Sequence, residues 1–285
     1  MRTINPISPN KPKIGVIMST YNAAGHLDEC FRSLAGQTFR DFVVHIVDDN
    51  SRDDTPDIIS RWCGEDSRFK LIGRNVKNQG LTKSLNHLLA VTDTEYIARI
   101  DADDMAMPNR LERQARFLDH HTDISVVGSW ALEVDEQGRD GAIRSVAERH
   151  EDISRMILRV NPMIHPSVMF RRSDIVRIGG YNVGYRTAQD YALWFACLEN
   201  GLKLANIPEP LIRYRLSSGH MAKRGLSYRK RDAAVRWHGA KALGCGPSAR
   251  LTAAAIPIAL GIVPGWARKL ALRHRDRLDP RHAGK

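Results

Sequence analysis

Cysteine is scarce in this chain. Cys30, Cys63, Cys197 and Cys245 are its only four, and no two form a Cys-x-x-Cys pair. That excludes a disulfide framework and a thiolate zinc site, and predicts free thiols in reducing surroundings. Glycine-rich phosphate loops are missing as well. Neither Gly-x-Gly-x-x-Gly nor Gly-x-x-x-x-Gly-Lys-Ser/Thr occurs, which removes the dinucleotide fingerprint and the P-loop. Residues 1–13 are polar and Pro-rich, without the apolar core of a secretory signal, so the folded part is expected in the cytoplasm. The near-uncharged run 251–264 is shorter than the roughly 20 residues a membrane span needs. Pro257 and Pro264 also interrupt it.

Acids are rare at one end. From Lys223 onward Asp232, Asp276 and Asp279 face fifteen Lys/Arg, a balance of +12, while the first 222 residues stand at −1. The net charge of +11 therefore belongs to a tail carried by a nearly neutral body. A basic segment can meet nucleic acid or anionic lipid. Here no nucleic-acid recognition motif accompanies the charge, and the apolar run 251–264 lies among the bases. Together these predict an anionic membrane surface as partner and no nucleic acid.

The remaining length suits one large α/β domain: 285 residues, 42% of them hydrophobic. Short apolar runs at 14–18, 42–47, 69–72, 96–100 and 125–130 read as buried strands. Helical spacing of apolar residues recurs at 24–35, 58–62 and 81–91, and Pro108 opens another helix toward His120. Asp53 or Asp54 is expected to cap the second helix. Beyond Gly128 the pattern loosens: a turn region at 134–141, helices at 173–178 and 191–200, and a closing strand at 211–216. The β-α alternation predicts a mostly parallel sheet flanked by helices, with ligands at the carboxyl ends of its strands.

Three polar clusters fall at those ends: Ser19-Thr20-Tyr21-Asn22, Asp48-Asp49-Asn50-Ser51 and Asp101-Ala102-Asp103-Asp104. Carboxylates two apart just past a strand can share a divalent cation that prefers oxygen ligands and bridges to phosphates; Mg or Mn fits, and zinc does not. An Asp after the second strand of such a unit can accept hydrogen bonds from a ribose or base. An aromatic ring in the first cluster can stack on a base.

With Asn78-Gln79-Gly80-Leu81, Asn86 and Gln189-Asp190-Tyr191-Ala192-Leu193-Trp194, these clusters, in this order from about residue 13 to 215, resemble the family 2 glycosyltransferases. Composition sets a tail at 1–12 and a basic helical extension at 223–285, which the resemblance does not cover. For the domain between them, at 13–222, the resemblance implies a GT-A, Rossmann-like fold. It implies that Thr20, Tyr21, Asn22, Asp49, Asp101 and Lys83 hold a nucleotide sugar, that Asp103 with Asp101 holds Mg or Mn, and that Asp190 is the catalytic base. His165 and Asp104 would support the site. The implied reaction is inverting transfer of a sugar to a hydroxyl of a glycan or lipid-linked acceptor in cell-surface polysaccharide assembly, at the inner face of the membrane. Two other classes are weighed. A non-catalytic scaffold of the same fold would lack an acid at Asp103 or Asp190. A sugar nucleotidyltransferase would show a Gly-rich basic loop where Ser-Thr-Tyr-Asn stands. For Asp190, a helix N-terminus favours the ionised form and burial opposes it, and sequence leaves that contest open.

Overall fold

The computed structural model describes residues 11–216 and 226–262. The outer bases of the tail, including Lys223, Arg268 and Lys269, lie outside them, as does most of the expected tail at 1–12. Four strand–helix units open the chain. These are β1 (Ile14–Thr20) and α1 (Ala24–Ala35), β2 (Phe42–Asp48) and α2 (Thr55–Glu65), β3 (Phe69–Arg74) and α3 (Leu81–Val91), then β4 (Tyr96–Arg99), short β5 (Met105–Ala106) and α4 (Arg110–His120). The second half comprises β6 (Ile124–Val134), β7 (Asp140–Arg144), α5 (His150–Met156), a 3-10 turn at His165–Ser167, β8 (Met169–Arg171), α6 (Arg172–Arg177), α7 (Gln189–Glu199), β9 (Lys203–Arg215), α8 (Leu226–Ala242) and α9 (Pro247–Ile262).

The strands form one sheet in the order β3-β2-β1-β4-β8-β6-β9-β5, with β7 paired to β6. From β3 to β4 all pairings are parallel. The expected parallel run ends there, because β8 enters between β4 and β6 and is antiparallel to both.

Alternation along β1 divides the core. Ile14, Val16 and Met18 pack with Leu27, Phe31 and Leu34 of α1, whereas Ile17 faces Leu85 and Leu88 of α3. The second face also takes Trp194 and Phe195 of α7 and Val235 of α8. Each such buried aliphatic or aromatic side chain contributes about 1.5–3 kcal/mol by leaving water. Asp54 is the N-cap residue of α2 but its side chain makes no cap hydrogen bond. Asp53 joins two helix starts instead, accepting from the Thr55 and Ala24 amides at 3.2 and 3.1 Å.

Among the described residues no helix is long and apolar enough to cross a membrane.

Candidate active site

The loops after β1 and β2 are laced together. Thr20 is buried and its hydroxyl donates to Asp48 at 3.3 Å. Asp48 is buried in turn, accepting from the Ser51 hydroxyl and, at 3.0 Å, pairing with Arg74. Asn22 adopts a left-handed φ of 49°, which Asn tolerates better than most residues. Its amide N–H donates to Ser51 Oγ at 3.0 Å and its Oδ1 accepts from the Arg52 amide at 2.9 Å. The ring of Tyr21 stays outside this knot, half exposed at the carboxyl edge of the sheet.

Asp49 fixes the next loop. Its Oδ1 accepts from the Gln79 amide at 2.8 Å and from Asn75 Nδ2 at 2.7 Å, and its Oδ2 accepts from the Gly80 amide at 2.8 Å. Gly80, at φ 88°, then leads into α3. Beside this turn is a cavity of about 300 Å³ lined by Lys77, Gln79, Thr82, Lys83 and Arg186. No ion pair engages its three cations among the described residues, so the cavity is electropositive.

The acidic cluster follows β4 directly. Asp101, Asp103 and Asp104 bring carboxylate oxygens within 4.8 Å of one another. Asp101 pairs with Arg99, a buried arginine on the strand itself. Asp104 Oδ1 accepts from the Arg215 amide at 2.8 Å, while its Oδ2 is buried without a partner. Burial first, and then the charges of Asp101 and Asp103, hold the Asp104 carboxyl well above the ordinary carboxylate range. Three crowded carboxylates with an orphaned buried oxygen, and no nitrogen or sulfur donor among them, are oxygen donors of the kind that could hold a hard divalent cation. Arg215 secures the loop from the far edge: its guanidinium donates to the Asp103 carbonyl at 3.0 Å and to Glu29 at 2.7 Å.

Asp190 lies in the first turn of α7, after Ala188 at a left-handed φ of 57°. Asn161 Nδ2 donates to its Oδ2 at 2.7 Å. Burial raises the Asp190 carboxyl from its ordinary value; the Asn161 hydrogen bond, the Tyr191 amide and the charge of Arg99 pull the other way. Burial therefore prevails over the helix terminus.

His165 is buried, its Nε2 3.0 Å from the Tyr181 hydroxyl and its ring edge-on to Trp194. Burial, aided by the Arg99 charge, pushes its pKa well below the usual value and keeps the imidazole neutral. That placement fits a structural histidine that fixes Tyr181. Asn86 grips the same segment, donating to the Tyr181 carbonyl at 2.7 Å and accepting its amide at 2.9 Å.

The topology thus gathers Thr20, Tyr21, Asn22, Asp49 and the acidic cluster at one edge. Arg99, buried on β4, pairs with Asp101 at that edge. Lys83 belongs to the electropositive cavity beside the Asp49 turn. Arg99, Asn161 and Arg215 lie outside the motifs of the sequence. Arg99 alone carried a signal, a charge inside an apolar strand; Asn161 and Arg215 act through loops that no periodicity reveals.

The mannosyltransferase PcManGT from Pyrobaculum calidifontis, solved with GDP-Man and Mn2+, superposes with a TM-score of 0.61 at 20% identity, covering 96% of this chain and 83% of that one. The UDP-Gal:alpha-D-GlcNAc-diphosphoundecaprenol beta-1,3-galactosyltransferase of Escherichia coli is 30% identical over 239 residues, 81% of this chain and 85% of that protein. The amylovoran biosynthesis glycosyltransferase AmsE of Erwinia amylovora is 29% identical over 221 residues, 76% of this chain and 82% of that protein. Residues 15–179 match the profile of Glycosyl transferase family 2, and with the GT-A sheet described above the chain belongs to that family.

Proposed function

We propose that this chain transfers a sugar from a nucleotide-sugar donor to a hydroxyl of a glycan or lipid-linked acceptor, with inversion, in cell-surface polysaccharide synthesis. The observation that carries the reading is the cluster of Asp101, Asp103 and Asp104 with its orphaned buried oxygen, on the edge that also bears Tyr21 and Asp49. Tyr21 offers a face to the base. Asp49 keeps lone pairs to spare, since a carboxylate accepts about four hydrogen bonds and three are used here. Thr20 and Asn22 shape the floor, and Lys83 and Asp101 face the charged part of the donor. Asp103, with Asp101 and support from Asp104, would hold Mg or Mn, which when bound supplies Lewis-acid neutralisation of charge on the leaving diphosphate.

Asp190 takes the proton of the acceptor hydroxyl as that oxygen bonds to the anomeric carbon and the bond to the diphosphate breaks. A single base without a covalent intermediate inverts the anomeric centre, as in inverting glycosidases. The names of the two bacterial relatives support a polysaccharide or lipid-diphosphate setting.

Calorimetric titration with UDP, GDP and dTDP, with and without Mn2+, tests the donor site. Binding of one nucleotide that needs the cation and is lost in Asp103→Asn supports it. No binding by folded protein moves the reading to a non-catalytic scaffold. The basic extension is proposed to rest on the inner membrane surface, with Leu251 and Ala255 exposed one turn apart on α9. Gln at Arg268, Lys269, Arg273 and Arg275 should weaken vesicle affinity, read by sedimentation with anionic vesicles, by about a hundred- to a thousandfold, at about 1 kcal/mol per base; unchanged sedimentation removes the membrane from the proposal.

A further inference from the structure

We propose that Asn161 and Arg236 are positioning residues for Asp190, so that helix α8 is part of the catalytic apparatus. The inference rests on the reading of Asp190 as the base.

Asn161 is held in one orientation: its Oδ1 accepts from the Met163 amide at 3.3 Å, which turns its Nδ2 toward Asp190 at 2.7 Å. One carboxylate oxygen is thereby tethered, which restrains rotation of the group. Asn161 sits in the irregular segment between α5 and the 3-10 turn, so its own position depends on side chains that grip that segment. Arg236 of α8 does so, donating to the carbonyls of Leu158 at 3.2 Å and Arg159 at 2.6 Å. The Tyr191 hydroxyl donates to the Ile157 carbonyl, and Asn206 donates to the Pro162 carbonyl at 3.2 Å.

Arg236 also governs the other side of the contact. Its guanidinium lies 5.2 Å over the ring of Tyr191, the residue after Asp190, and is held by Asp232 at 3.0 Å. The helix that brings it is closely seated. At Gly239 an added Cβ would come within 2.2 Å of the Phe195 ring, and Val235 and Ala240 are buried. One buried arginine therefore fixes both the segment that carries Asn161 and the helix that carries Asp190.

The groups that act on Asp190 are Asn161 from this segment, Arg99 from β4, Tyr181 before α7, and Tyr191 on α7, with Arg236 and Asp232 behind Tyr191. In full-length Asn161→Ala, nucleoside-diphosphate affinity should be unchanged. Its kcat should fall about ten- to a hundredfold, and the acid limb of the kcat–pH profile should move upward, because a hydrogen bond to the charged form is gone. Arg236→Met should act in the same direction, with partial rescue in Arg236→Lys. If Arg236→Met does not fold, Asn161→Ala decides alone. Asp190→Asn is the control. An inactive Asp190→Asn beside an Asn161→Ala with wild-type kcat and an unmoved acid limb overturns this inference and leaves the base standing. An Asp190→Asn that transfers at the wild-type rate overturns both.

Discussion

The two halves of the sheet build their parts of the site by different means. Between β1 and β4, each polar cluster sits on the loop directly after its strand; parallel pairing brings those loops to one edge, and side chains such as Asp48 and Asp49 then lace them together. Past Gly128 the reversed strands β7 and β8 interrupt the parallel order, and Asp190 is placed by side-chain partners: Asn161 29 residues before it, and Tyr191 in turn under Arg236. In the first half the register of backbone hydrogen bonds brings the clusters together before any side chain acts. In the second, individual side chains do the placing, and single substitutions there should act on chemistry more than on ligand affinity.

The sharpest test of that contrast is a pair of isosteric changes. Asp190→Asn is expected to lower kcat by about 10²–10⁴ with nucleotide affinity intact, read by product formation beside calorimetry. Asp103→Asn should instead abolish cation-dependent nucleotide binding. Equal effects of both on affinity would erase the distinction between the halves.

Next comes Asp49→Ala, which strips three donors in and beside the Gly80 turn of their acceptor. A loss of about 1–3 kcal/mol in stability is expected, together with weaker nucleotide binding. A melting temperature like the wild type would show that the loop stands without its clamp.

A subtler effect concerns Asp104. Its folded pKa is raised, so the native state holds the proton more tightly than the unfolded chain does. Its contribution therefore becomes less favourable as pH rises above the unfolded value of about 3.9 toward the raised folded value. Mn2+ should accordingly lift Tm more at pH 7.5 than at pH 5, and a uniform lift would refute this. The smallest change is in the second half. Ala188→Gly relieves a left-handed alanine at a cost in chain entropy, for a net gain of about 0.5 kcal/mol in chemical denaturation.

What could be read from the sequence follows the same division. Helices α1 and α3 match their expected limits because Leu27, Phe31 and Leu34, and Leu85, Leu88 and Leu89, repeat at helical spacing. Strand β9 was expected only over 211–216, yet it starts at Lys203. Pro208 and Pro210 disguise its middle, and the register against β6 shifts around Trp130 to accommodate the irregularity. Likewise β6 continues past Trp130 to Val134, and β5 and β8, at two and three residues, are too short to show any period. Of the site, the strand-end clusters were legible as motifs. The contest over Asp190 was not, because its burial depends on Asn161 and on the packing of α7, which no local pattern encodes.

The grip of Arg236 on carbonyls 77 and 78 residues earlier bears on inheritance as well as on folding. Recombination between related genes tolerates crossovers where few contacts are severed. A crossover between residues 161 and 236 would join one parent's Asn161 segment to the other parent's α8, even though every recognisable motif survived. The loops after β1, β2 and β3 could be exchanged as a block, whereas the acidic loop would have to travel with Arg215 of β9, and the segment before the 3-10 turn with α8.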